Sequence, residues 1–67
     1  MLRIETEKEE DGRWVAEVPA LPGVLAYGAT KAEAGARVQA LALRVIADRL
    51  ENGEQLPAEL SGVFEAA

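Results

Sequence analysis

Leu2-Arg3-Ile4-Glu5-Thr6-Glu7-Lys8 and Arg13-Trp14-Val15-Ala16-Glu17-Val18 flank the tetrapeptide Glu9-Glu10-Asp11-Gly12. Both flanks alternate with period two, the repeat that sends successive side chains to opposite faces of a strand. In the first, Leu2, Ile4 and Thr6 share one face and Arg3, Glu5 and Glu7 the other. In the second, Trp14, Ala16 and Val18 oppose Arg13, Val15 and Glu17. One apolar and one polar face is the pattern of an antiparallel sheet. Asp-Gly between the runs supplies the turn, with Gly12 free to take a positive φ. Residues 2–18 therefore predict a β-hairpin.

Downstream, Pro19-Ala20-Leu21-Pro22-Gly23 predicts a rigid crossing, because two prolines remove backbone donors and extend the residues before them. Leu21 is open to a second reading as an exposed recognition point. Val24-Leu25-Ala26-Tyr27-Gly28 reads as a third strand, with Gly28 allowing a close backbone approach or a sharp exit. Thr30-Lys31-Ala32-Glu33 fits a capping box, in which Thr30 caps the first turn and Glu33 reaches back. The helix that follows is expected to run to about Asn52, with Gly53 as its left-handed terminator. Gly35, unfavourable inside a helix, suggests close packing there. Residues 61–65 read as a short fourth strand or a tail.

On a helical wheel, Ala34, Val38, Leu41, Ala42, Val45 and Ile46 form an arc to pack on the sheet face of Leu2, Ile4, Trp14 and Ala16. A second arc, Ala32, Ala36, Ala40, Leu43, Ala47 and Leu50, lies roughly opposite. One sheet covers one arc. Leu43 and Leu50, with Ala36 and Ala47, are therefore the expected partner or oligomer surface, against the alternative of a merely Ala-rich exposed helix.

The chain has 67 residues, enough for one domain with a modest core. Thirteen residues are Ala and three are aromatic, Trp14, Tyr27 and Phe64, so apolar area per residue is low. Association with a second copy would enlarge that core. There is no Cys and no His, which removes disulfides, thiol chemistry and the commonest general base and metal ligand. No leader or membrane-spanning run is apparent, so a cytoplasmic protein is expected. The net charge is −5, which disfavours direct nucleic-acid binding and suits a basic partner. Residues 1–17 carry six acids and three bases, whereas residues 31–50 carry two acids and four bases. Glu5, Glu7, Glu9, Glu10 and Asp11 are acidic enough to consider a divalent cation or acid–base chemistry. Their placement on a wet strand face and in a turn favours a solvated hairpin tip. No catalytic, cofactor or metal residues are assigned.

These residues compose a longer string: Asp11-Gly12, Trp14-Val15-Ala16-Glu17-Val18-Pro19, Leu21-Pro22-Gly23-Val24, Tyr27-Gly28, Thr30, Glu33-Ala34. The string resembles the HicB-like antitoxin family, over about residues 2–57 and without a gap from Asp11 to Ala34. The resemblance implies an α+β fold that is partially ribonuclease-H-like. Its antiparallel sheet of three to four strands, in β-β-β-α-β order, packs on one long helix. It implies a protein-binding role, neutralising a small basic mRNA-cleaving toxin of the HicA kind. The alternative is an orphan homo-oligomeric domain with no toxin. Family members usually continue into a C-terminal DNA-binding domain. Residues 1–67 are expected to be a single HicB-like domain without one. In this reading Gly12, Pro19, Pro22, Gly23, Gly28, Thr30 and Glu33 hold the fold.

Overall fold

The computed structural model describes residues 1–65. Three strands, β1 (Glu5–Lys8), β2 (Trp14–Glu17) and β3 (Leu25–Gly28), precede one helix, α1 (Lys31–Glu51), and a 3-10 turn at Ala58–Leu60. The sheet is antiparallel in the order β1-β2-β3. The fold is α+β, with one helix laid across one face of a three-stranded sheet.

The hairpin turn is a type I turn closed by a left-handed Gly12. The Gly12 N–H donates to the Glu9 carbonyl (3.0 Å), and the Glu9 N–H donates to the Arg13 carbonyl (2.7 Å). The resulting register pairs Thr6 with Ala16 and Ala16 with Ala26, all on the helix side. Pairing begins at Glu5, not at Leu2. Hydrogen-bonded pairs recur every second residue, so the pair after Glu5–Glu17 is Arg3–Pro19, and Pro19 has no N–H.

The Pro19–Gly23 crossing is folded into two turns. The Leu21 N–H donates to the Val18 carbonyl (2.9 Å) and the Val24 N–H to the Leu21 carbonyl (3.0 Å), with Gly23 at φ +86°. These two turns drive Leu21 into the interior, where its exposure is 0%. The reading of Leu21 as an exposed recognition point is thereby corrected. The core is Ala16, Val18, Leu21, Val24, Ala34, Val38 and Ala42. Leu2, Ile4, Trp14, Leu41, Val45 and Ile46 pack around it.

Two other expectations need adjustment. A Cβ added at Gly35 would meet nothing within 4 Å, so no close packing explains that glycine. The close approach is at Gly28, where a Cβ would lie 2.5 Å from the Ala34 nitrogen. Residues 61–64 are turn and bend, not strand. Local hydrogen bonds tie this segment to itself: Ser61 N–H to the Ala58 carbonyl and Val63 N–H to the Leu60 carbonyl. Among the described residues the sheet therefore has three strands. No helix among them is long and apolar enough to cross a membrane.

Candidate interaction surfaces

Three of the motif residues, Gly28, Thr30 and Glu33, meet at the junction between β3 and α1. The Thr30 hydroxyl accepts from the Glu33 N–H (3.0 Å), capping the helix as the spacing predicts. Glu33 reaches back one residue further than the box requires, its Oε1 accepting from the Ala29 N–H (3.1 Å). The same carboxylate pairs with Arg37 Nη2 (3.2 Å), and Arg37 Nη1 donates to the Tyr27 carbonyl (3.0 Å). This chain of contacts fastens the first turns of α1 to β3. At the far end Gly53, at φ +73°, terminates the helix. Gly53 N–H bonds the Leu50 carbonyl and Glu54 N–H the Arg49 carbonyl, the Schellman arrangement.

The helix arc opposite the core is bare. Leu43 is 67% exposed and Leu50 47%; Ala47 is exposed between them, and Ala36 and Ala40 are exposed in the turns before Leu43. The helix leans toward β3 and leaves an apolar groove on the β1 side. That groove is lined by Leu2, Ile4, Gln39, Ala42, Leu43 and Ile46. It runs on past Thr6, Gly35 and Ala36 toward the start of the helix.

The second surface is the sheet face turned away from α1, whose neighbours in space the sequence reading did not assemble. Strand register sets Glu7, Val15 and Tyr27 side by side, and next to them Glu5, Glu17 and Leu25. The signal was present in the alternation of Val24, Ala26 and Gly28 against Leu25 and Tyr27, but it needed the β2–β3 register to acquire neighbours. Val15, Leu25 and Tyr27 make an apolar strip edged by Glu5, Glu7, Glu9 and Glu17. Glu5 and Glu17 stand directly opposite each other, a like-charge pair that disfavours the isolated sheet. Arg3 pairs with Glu5, and Arg13 pairs with Asp11 (2.7 Å). Glu7, Glu9 and Glu17 take no ion pair among the described residues.

At the hairpin tip, Arg13 lies 4.7 Å from the centre of the Tyr27 ring, a cation–π contact. The Arg13 N–H donates to Asp11 Oδ1 (3.0 Å) and its Nε to Oδ2 (2.7 Å). The backbone bond and then the guanidinium hold the Asp11 carboxyl below its ordinary value. Among the described residues no three acidic side chains converge into a set able to hold a metal ion. No family model, curated protein or solved structure matches the chain.

Proposed function

We propose that this chain is a protein-binding module of the HicB antitoxin type, a non-enzyme that covers a small basic mRNA-cleaving toxin of the HicA kind. The observation that carries the reading is the open sheet face. Val15, Leu25 and Tyr27 offer an apolar centre, and Glu7, Glu9 and Glu17 surround it with negative charge that no cation among the described residues pairs. An RNA-cleaving partner presents lysines and arginines for the phosphate backbone. Those cations meet the carboxylates while the centre excludes water, which is how charge complementarity selects a partner. The HicB-like string from Asp11 to Ala34 supplies the class of partner. The β1-β2-β3-α1 order accords with a partial ribonuclease-H-like arrangement. The net charge of −5 supports a protein partner over nucleic acid, and a chain without His or Cys lacks the commonest general base and any thiol nucleophile, which supports a non-catalytic role.

The test uses a purified HicA-type toxin and its mRNA cleavage. The unmodified chain should suppress cleavage, less so at high salt. Glu7→Lys with Glu17→Lys should abolish suppression without lowering the melting temperature, since both side chains lie on the exposed face. Undiminished suppression by this variant would overturn the reading.

A second reading, a self-associating domain with no toxin, is favoured by one observation: the exposed Leu43–Leu50 arc beside an apolar groove. The two readings use opposite sides of the sheet.

A further inference from the structure

We propose that two copies of this chain join antiparallel along the free edge of β1, with Ile4 of one copy opposite Ile4 of the other. The inference rests on the self-association reading and is independent of the toxin-binding one.

The two sheet edges differ. β3 lies under the start of α1, and its Tyr27 carbonyl is already taken by Arg37. Among the described residues no side chain takes up the outward backbone groups of β1; the nearest tie is ahead of the strand, where the Met1 ammonium donates to the Glu59 carbonyl (2.9 Å). Because the Glu9 N–H bonds Arg13, residues 9, 7 and 5 turn their backbone polar groups toward β2. Lys8, Thr6, Ile4 and, ahead of the strand, Leu2 therefore turn theirs outward. An unpaired edge of this kind is a template for another strand.

The side chains choose the occupant and the register. Outward groups must pair with outward groups, and the apolar face must stay on the helix side, so only shifts by whole two-residue steps are open. Centring on Ile4 sets Ile4 against Ile4 and Leu2 against Thr6 on the helix side. On the open side it sets Arg3 against Glu5 of the second copy, twice by symmetry. Centring on Glu5 brings two glutamates face to face. Centring on Thr6 sets Glu5 against Glu7 twice, and centring on Arg3 sets two arginines together. Directly opposed like charges are disfavoured and opposite charges favoured. The Ile4 register is the self-complementary one among these, as a two-fold interface requires. It also places the two grooves side by side under a six-stranded sheet. Leu2, Ile4, Leu43 and Ile46 of both copies then cover one another.

Sedimentation or light scattering on the full chain should give twice its 7.1 kDa mass. Arg3→Glu changes an exposed side chain and should weaken the dimer about tenfold or more by opposing two glutamates twice. Thr6→Pro removes an outward N–H, leaves the β1–β2 bonds in place, and should give monomer. Arg3→Glu combined with Glu5→Arg should restore the dimer. In a mixture of labelled and unlabelled chains, an isotope-filtered NOE should connect the Arg3 and Glu5 α-protons of different copies. A dimer indifferent to Arg3→Glu and Thr6→Pro would overturn the proposal while leaving self-association standing. A double exchange that stays monomeric would overturn the register. A monomer at millimolar concentration would overturn both the proposal and the self-association reading.

Discussion

Two glycines seven residues apart behave oppositely, and the difference lies in what surrounds a missing methyl group. At Gly28 an added Cβ would sit 2.5 Å from the Ala34 nitrogen and 3.0 Å from its Cα, both backbone atoms of the helix start. Neither yields without lifting α1 from β3. Gly28→Ala is expected to destabilise by about 3 kcal/mol, the upper end for forced overpacking, as read by chemical denaturation. Gly35 faces open space, and Gly35→Ala is expected to stabilise by about 0.5–1 kcal/mol through helix propensity alone. Equal effects of the two would contradict this account. Asp11 illustrates a charge at the same scale. Its carboxyl is depressed by Arg13, so its contribution to the turn is present at neutral pH and disappears as pH falls through the depressed value. The Arg13 amide resonance should follow that titration, with a midpoint below that of an unperturbed aspartate, and Asp11→Asn should abolish it.

The crossing places Leu21 in the core, and the helix start ties α1 to β3. Two prolines, a left-handed Gly23 and a buried Leu21 act together in the first. Gly23→Val forces a β-branched residue into φ +86° and should destabilise by about 1–3 kcal/mol. Thr30→Ala removes the acceptor for the Glu33 N–H and should cost about 1 kcal/mol in thermal unfolding. Neither change touches the open sheet face, so binding of a basic partner by the remaining folded protein should be unaltered. Loss of binding by Gly23→Val at unchanged stability would mean that the crossing recognises the partner directly.

For the molecule as a whole, a core built around Leu21, Val38 and small side chains leaves Leu43 and Leu50 outside it. Their replacement, Leu43→Glu with Leu50→Glu, should therefore leave the monomer fold intact and weaken association. The melting temperature of the unmodified chain should rise with protein concentration, because a partner that binds only the folded state stabilises it by mass action. In the variant that dependence should flatten. A concentration dependence that persists undiminished in the variant would remove the helix arc from the interface, and a concentration-independent melting temperature of the unmodified chain would overturn self-association altogether.

Local chemistry made much of this molecule legible in advance. The alternation of residues 2–18 with Asp11-Gly12 specified the hairpin, Thr30 and Glu33 the helix start, and Gly53 its end, because each rests on contacts within a few residues. The wheel arc of Ala34, Val38 and Ala42 likewise named the side of α1 that is buried. What depended on distant pairing was hidden. Whether Leu21 points in or out is settled by two turns closing over a core that residues 16–42 build together. Which residues flank Val15 is settled by register, which brings Glu7 and Tyr27 to it from positions eight residues before and twelve after. Gly28 and Gly35 read alike along the chain, and the packing of α1 on β3 alone gives one a backbone neighbour and the other empty space.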